Sequence, residues 1–477
     1  MLDIYFPYFR HCLKIEEALI TLMKEFVESY EQLHQIFEGN SKPSSKRMNK
    51  MIMALAFLLK LTMNLSELYK NSLKSNFSVL VDFLSILYDK ESVIPASLDE
   101  SMKEKLDREL FLVHPPQLFL QHLPDFTEFI TYLTSSEINE NQAFPLVVMC
   151  MQLLEQNSLT NEEKCSILGF VMDCAWLLEA DNSRMNRMDS VEVPGSPVQL
   201  VSLYEWLLTR ICRFISIVQP EDFSKIERIF FHHLFFSEDW FTLQMVSDIL
   251  CFIARYGSAS LCYSLIETTS KVFLQMEETF PNRFMIQNLI GRLFNFLEGD
   301  EKQKWMKEFR PNDTLFLDLW SCVELRNIDE KETDFNEESL CSMYSLSLDN
   351  DDYLMKLTSL LHCHTNLNLI QENNKTKPSS VTLCLEIWQK LSDYLFTPSQ
   401  NLGVCQLLNS LCGLSAVLAA SLPPSELLSM FISQVNVLNS AKGDANEKFI
   451  AGILMDVLKL VPSFTWVSNI EVCNLPL

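Results

Sequence analysis

Glycine is scarce in this sequence. The chain has 10 glycines among 477 residues, whereas glycine makes up about 7% of an average protein. The pairs Asn-Gly and Asp-Gly, which form the tight turns of β-hairpins, do not occur at all. These two shortages argue against a sheet built from hairpins and predict an all-α protein.

Basic residues are also few. The chain has 38 Lys and Arg against 62 Asp and Glu, which gives a net charge of −24. Proteins that bind DNA or RNA need clustered basic residues to neutralise the phosphates. This chain has one short basic patch, Lys42 to Lys50. The charge predicts that this chain does not bind nucleic acid directly, although it leaves room for basic partners in a DNA pathway.

Catalytic signatures are missing. The sequence has no GxxxxGK[ST], GxGxxG, HExxH or GxSxG, and its cysteines form no CxxC pair. We therefore expect no enzyme activity, no cofactor and no metal. His362-Cys363-His364 is the strongest metal candidate, but neighbouring side chains on a helix diverge by about 100°. His232-His233 is interpreted similarly, with one imidazole on a buried polar group and the other facing water.

The cysteines predict a reducing environment. Many of the 14 lie singly at apolar helical positions, as buried free thiols do in intracellular proteins. The N-terminus lacks a secretory signal. Asn401–Leu422 is long and uncharged enough for a membrane span, but its polar residues favour a buried helix, and no membrane partner is expected. The apolar start of the chain predicts a C-terminal portion or short isoform of a longer helical array.

Helical periodicity is clearest between Phe230 and Thr269. The run from Phe230 to Phe236 predicts one apolar helix face that belongs to the core, with a partner surface as the alternative. Ser237 is predicted to cap the next helix, Gly257 to end it in a left-handed conformation, and Ser258 to begin another. The apolar residues of the middle helix recur at spacings of three and four: Trp240, Leu243, Val246, Ile249, Leu250 and Ile253.

The same alternation of helix and short turn runs through the chain. It predicts a HEAT/armadillo-like α-solenoid of irregular helical pairs. The expected divisions are N-terminal repeats, a flexible loop, central repeats, an acidic loop and C-terminal repeats, over residues 1–180, 181–197, 198–326, 327–352 and 353–477. Ser196 precedes a proline within the flexible loop, which makes it a candidate phosphorylation site, although such dipeptides are also common by chance.

A short motif within the periodic region resembles a known family. Ile249 to Gly257 reads Ile-Leu-Cys-Phe-Ile-Ala-Arg-Tyr-Gly. This is similar to the pattern Trp-Cys-Phe-x-Ala-Arg-Tyr of the fidgetin-like-1-interacting regulators of recombination and mitosis, with Leu in place of Trp. The preceding residues 232–250 also resemble the vertebrate form. The resemblance implies partner-binding residues at Leu250, Cys251, Phe252, Arg255 and Tyr256.

What the resemblance implies is specific. Members of that family are non-enzymatic helical partners of a fidgetin-like AAA ATPase, and the complex restrains filaments of a RecA-type recombinase. The implied setting is the nucleus and mitotic structures, in homologous recombination, interstrand crosslink repair and chromosome segregation.

Two other functions remain open at this point. Helical-repeat proteins also serve as adaptors in pathways such as trafficking or transport. The third hypothesis is an enzyme whose active site is assembled from residues distant in sequence. Such a site would require a cleft with converging titratable groups.

Overall fold

All regular elements in the described part of the chain are helices. The computed structural model describes residues 14–38, 45–69, 73, 76–88, 100–112, 126–135, 138–156, 159–179, 201–277, 280–310, 313–323, 351–369, 378–393, 402–419 and 422–440. The chain divides into two compact units, Met1–Ile249 and Leu250–Leu477.

The first unit is built from nine helices and the greater part of a tenth, counted over the described residues. They are α1 (Ile15–Glu38), α2 (Ser45–Leu68), α3 (Phe77–Tyr88), α4 (Glu100–Asp107, continued by a π-helical turn, Arg108–Leu112), α5 (Phe126–Ser135), α6 (Glu140–Leu154), α7 (Asn161–Asp173, followed by a 3-10 turn, Ala175–Leu178), α8 (Leu203–Ile217), α9 (Pro220–Phe236) and α10 (Trp240–Tyr256).

Neighbours in sequence are neighbours in space within this unit. Helix α1 packs on α2 and α3, α6 packs on α3, α7 and α8, and α7 packs on α5 and α9. Each contact buries the apolar stripe that the 3.6-residue period places on one helix face. The edge-to-face contact of Phe26 with Phe83, at 5.2 Å between ring centroids, lies in this core.

The second unit continues from the end of α10. Its described helices are α11 (Ala259–Phe273), α12 (Arg283–Phe296), α13 (Gly299–Glu308), α14 (Leu317–Ser321, preceded by a 3-10 turn, Thr314–Phe316), α15 (Asp351–Leu369), α16 (Pro378–Asp393), α17 (Leu402–Leu418) and α18 (Pro424–Ser440). Helix α11 packs on α12 and α13, and α15 packs on α14 and α17. Helix α16 packs on α17 and α18.

Local capping signals place several helix starts. Thr160 forms a capping box with Glu163, since its side chain accepts from the Glu163 N–H and its own N–H donates to Glu163 Oε2 at 2.8 Å. Helix α8 begins at Leu203, where Ser202 forms a second capping box with Glu205.

The predicted all-α class is confirmed by these helices. The boundary between the two compact units falls within α10, inside the block 198–326, and the five predicted divisions stay a prediction. The loops predicted over residues 181–197 and 327–352, and Ser196 with them, lie outside the described residues.

One described helix is long and apolar enough to cross a membrane. It covers Lys46–Leu68, within α2. The helix packs on α1, and Ile52, Leu55 and Leu59 are fully buried. A helix of a protein core passes the same test, so length and composition alone are weak evidence for a span. The sequence analysis predicts a buried helix and not a membrane span for Asn401–Leu422. This segment contains α17, whose Leu407, Leu408 and Leu411 are buried as predicted.

Candidate functional site

The turn between α9 and α10 differs from the prediction. Ser237 follows α9 and does not cap α10; its Oγ lies 3.2 Å from His233 Nδ1. Asp239 caps α10 instead, because its Oδ1 accepts the Thr242 N–H at 2.7 Å. A carboxylate at this place also offsets the positive end of the helix dipole.

Gly257 ends α10 as predicted, but for another reason. Its backbone is not left-handed, and a Cβ at this position would lie 2.6 Å from the carbonyl oxygen of Ile253. The glycine is therefore required by a close approach within the last helical turn. Ser258 caps α11 as predicted, and its Oγ accepts the Leu261 N–H at 3.2 Å.

The aromatic run of α9 does not share one face. Phe230 and Leu234 are fully buried, whereas Phe236 is 71% exposed. Phe231 and Phe235 are half-buried and stack on each other with their centroids 5.7 Å apart. Successive residues on a helix are about 100° apart, so a continuous run of aromatics must point in several directions. The prediction of a single apolar face was wrong.

A cleft opens beside this run, and we call it the α7–α9–α10 cleft. It has a volume of about 500 Å³ and is lined by Met172, Asp173, Trp176, His232, His233, Phe236, Ser237, Glu238, Asp239 and Thr242. Its size lies in the range of known ligand sites. The exposed side chain of Trp176, from the turn after α7, is brought close to α9 only by the packing of α7 on α9.

His233 lies at the base of the cleft. The residue is 7% exposed, and its Nε2 is 3.4 Å from Asp173 Oδ1. Burial lowers the pKa of this imidazole below the usual 6.5, although Asp173 and Asp239 act in the opposite direction. His233 is therefore neutral at pH 7. His232 is exposed, so the prediction of one buried and one solvent-facing imidazole is confirmed.

This burial predicts a pH-dependent stability. The pKa of His233 is higher in the unfolded chain than in the folded one. Below about pH 6.5 the unfolded chain therefore binds a proton that the folded chain does not, and the free energy of unfolding falls as the pH falls towards the folded-state pKa. We expect the His233→Gln variant to lose less stability than the wild type between about pH 7.5 and about pH 5.5 in urea denaturation. His362 also has a pKa lowered by burial. The contribution of His233 is therefore the difference between the stability lost by the wild type and the stability lost by His233→Gln. Equal losses in wild type and His233→Gln, or the same reduction in a His232→Gln control, would contradict the prediction.

The residues of the family-like motif differ in accessibility. Leu250 and Cys251 are 1% and 5% exposed, respectively, and Phe252 is half-buried. Arg255 and Tyr256 are exposed, the latter by 68%. The rings of Phe252 and Tyr256 are 5.0 Å apart, and the Arg255 guanidinium lies 5.6 Å from the Tyr256 ring. Within the motif, the accessible surface is thus the last turn of α10, formed by Phe252, Arg255 and Tyr256.

The His362-Cys363-His364 run serves three separate contacts. His362 Nε2 lies 2.8 Å from Ser410 Oγ on α17, and His364 Nδ1 lies 2.8 Å from Ser380 Oγ on α16. The Cys363 thiol is fully buried and donates to the Leu317 carbonyl oxygen at 3.8 Å. The side chains diverge as helical geometry requires, and within the described residues no group of three or more His, Cys, Asp or Glu is placed to hold a metal ion.

The cysteines whose side chains the structure describes are buried, as predicted, except Cys322, which is half-buried. Burial raises the pKa of the Cys262 thiol to about 11 and that of Cys212 to about 12. A protonated, buried thiol is a poor nucleophile. Their chemistry is therefore that of small apolar side chains in the core.

Comparison with known proteins points to one family. A family model described as "Domain of unknown function (DUF4487)" matches residues 12–465. The rat protein named FIGNL1-interacting regulator of recombination and mitosis is 22% identical over 139 residues, which cover 29% of this chain and 15% of the rat protein. The zebrafish (Danio rerio) protein of the same name is 22% identical over 251 residues, which cover 50% of this chain and 27% of that protein.

These relatives are distant, and the matched region spans less than a third of either one. The name of both relatives nevertheless agrees with the family that the Ile249–Gly257 motif resembles. The family model reaches across both compact units of the chain. On that match, the chain belongs to the family of the domain of unknown function DUF4487.

Proposed function

We propose that this chain is a non-enzymatic helical scaffold that binds a fidgetin-like AAA ATPase and thereby regulates homologous recombination. The observation that carries the proposal is the similarity of half the chain to a protein named for its interaction with FIGNL1 and for recombination and mitosis. Through the ATPase the scaffold would act on RecA-type recombinase filaments, in the nucleus and in support of chromosome segregation. No catalytic step is assigned to the chain itself.

The packing of the helices supports a scaffold. Apart from the contact of α3 with α6, the described helices of each unit contact those one or two places further along the chain, which is the pattern of stacked helical pairs. We propose that the pairs form a HEAT/armadillo-like solenoid. Such an arrangement provides long, rigid helix faces on which a partner docks, and it needs no active-site loop.

The end of α10 is the partner contact that we propose. Phe252, Arg255 and Tyr256 form a contiguous aromatic and cationic surface, with Tyr256 68% exposed. Tyrosine and arginine carry much of the binding energy at protein interfaces. Leu250 and Cys251 are 1% and 5% exposed, so we assign them to the support of this turn and not to direct contact.

The test is co-purification with a fidgetin-like ATPase. We expect the wild-type chain, co-expressed with the ATPase, to retain it through affinity and size-exclusion chromatography. The double variant Arg255→Ala/Tyr256→Ala should weaken binding by about tenfold or more, as loss of an interface hot spot does. Both side chains are exposed, so the variant should keep the helical circular dichroism and the melting temperature of the wild type.

A matched control is Phe284→Ala, which removes an aromatic side chain of the same unit that is 60% exposed and lies outside the motif. This variant should bind like the wild type. If the folded wild-type chain does not retain the ATPase, the proposed function is wrong. Binding that survives the double variant unchanged would move the contact away from the end of α10 and leave the scaffold function in place.

A further inference from the structure

The α7–α9–α10 cleft combines exposed aromatic rings with carboxylates. Trp176 is 53% exposed and Phe236 is 71% exposed, and both line the cleft. Among the described residues, the lining includes Asp173, Glu238 and Asp239 but no lysine or arginine. Exposed aromatic rings at the rim of a cleft favour a partner with apolar or planar groups, and the carboxylates favour a partner with positive charge.

The backbone adds to the negative potential. Helix α7 ends at Asp173 and helix α9 ends at Phe236, so two helix C-termini lie at the cleft. Helix C-termini carry partial negative charge and favour cations. Helix α10 begins here with its positive end, but Asp239 Oδ1 accepts the Thr242 N–H and offsets that charge.

The neutral state of His233 preserves this potential at pH 7. Among the described residues, His233 is the basic group within ion-pair distance of Asp173, at 3.4 Å from Nε2 to Oδ1. Because burial lowers its pKa below 6.5, the imidazole does not neutralise the Asp173 carboxylate. The Asp173 side chain is 69% exposed, so a ligand can reach it.

A second, independent feature of the cleft is an unpartnered hydroxyl. Thr242 lines the cleft and is 1% exposed, and its Oγ1 has no hydrogen-bond partner among the described residues. A buried hydroxyl without a partner costs stability. The oxygen lies beneath the surface of the cleft, so an incoming donor group reaches and satisfies it when the Thr242 side chain turns towards the cleft.

We propose that the α7–α9–α10 cleft binds an arginine side chain of a partner peptide. The guanidinium packs on the rings of Trp176 and Phe236, pairs with the carboxylates of Asp173 and Glu238, and donates to Thr242 Oγ1. Arginine suits this site better than lysine because its planar, weakly hydrated head stacks on aromatic rings and offers several donors at once. Apolar residues beside the arginine would cover the remaining aromatic surface.

The test measures binding of a defined peptide to the whole chain. The probe is fluorescein-labelled Gly-Ser-Leu-Arg-Leu-Ser-Gly, titrated by fluorescence anisotropy. A matched probe carries citrulline, which has the shape of arginine without its charge, and another carries lysine. We expect the arginine peptide to bind saturably, the citrulline peptide at least about tenfold more weakly, and the lysine peptide at an intermediate level. Affinity should also fall as NaCl rises from about 50 to about 300 mM.

Variants of the protein locate the site. Trp176→Ala should weaken binding of the arginine peptide about tenfold and Glu238→Gln about threefold, in line with loss of a stacking surface and of one charge. Both side chains are exposed, so neither change should alter the melting temperature. Trp240→Ala is the matched control, since this tryptophan is 54% exposed but does not line the cleft.

Several results would overturn the proposal. They are no saturable binding of the arginine peptide, equal affinity for the arginine and citrulline peptides, and a loss in Trp240→Ala as large as that in Trp176→Ala. None of these results depends on the ATPase. Failure of the peptide site and failure of the proposed scaffold function are therefore distinguishable.

Discussion

Replacement of Trp305 by alanine should destabilise the second unit by about 3–5 kcal/mol, the cost of removing a fully buried large aromatic side chain. Trp305 is fully buried on α13. Its ring centroid lies 5.1 Å from those of Phe294 and Phe309 and 5.3 Å from that of Trp320. Its Nε1 donates to Ser270 Oγ at 3.2 Å. The side chain thus joins α11, α12, α13 and α14, and its loss leaves a cavity where these four helices meet.

Chemical denaturation followed by circular dichroism gives the free energy of unfolding. Hydrogen exchange of residues 259–310 localises the change to this unit. Trp305→Phe keeps an aromatic ring but loses the indole N–H, so we expect a smaller cost of about 1–2 kcal/mol. Trp240→Ala, an exposed tryptophan, should change stability by no more than about 0.5 kcal/mol. If Trp305→Ala unfolds at the same denaturant concentration as Trp240→Ala, the described packing of α13 is incorrect.

Gly291→Ala should also destabilise the second unit, although alanine is the better helix former. A Cβ at this position on α12 would lie 2.4 Å from the carbonyl oxygen of Cys322, which follows α14. That oxygen belongs to the backbone and cannot rotate away, so one of the two segments must shift. Overpacking of this kind costs about 1–3 kcal/mol. Because the Cys322 carbonyl is part of the backbone, we expect the cost of Gly291→Ala to lie at the upper end of this range.

The matched control for this prediction is Gly413→Ala on α17, in the same unit. A Cβ at Gly413 meets no atom within 4 Å. Alanine should therefore stabilise this helix by about 0.5–1 kcal/mol through its higher helix propensity. The two variants should shift the midpoint of denaturation in opposite directions. A gain in stability from both would show that α12 does not approach Cys322 this closely.

Much of the local structure follows from local sequence. Few glycines and the absence of Asn-Gly and Asp-Gly correctly predict the all-α class seen in the described residues. The Ser258 cap is confirmed, since it involves residues within one turn of the same helix. The start of α10 was predicted two residues too early, because serine and aspartate are both common helix caps. Ser237 contacts His233 of the preceding helix, and Asp239 accepts the Thr242 N–H and caps α10.

Exposure proved harder to predict than helicity. The motif residues Leu250 and Cys251 are buried, while Arg255 and Tyr256 of the same helix are exposed. Similarly, Phe236 ends an aromatic run that was assigned to one face, yet it is one of the most exposed aromatic residues of the described chain. Periodicity shows which residues share a helix face, but it does not show where a neighbouring helix stops covering that face.

Sequence alone was therefore sufficient for the helical class and for the helix boundary at Gly257 and Ser258, because these depend on backbone propensity and on contacts between residues three or four places apart. Tertiary packing was needed to bring Trp176 and Phe236 into one cleft, to leave Thr242 Oγ1 without a partner, and to place Cys322 against Gly291. Residues about thirty or sixty places apart meet only when whole helix faces pack at protein density, and that fit depends on all the side chains of both faces together.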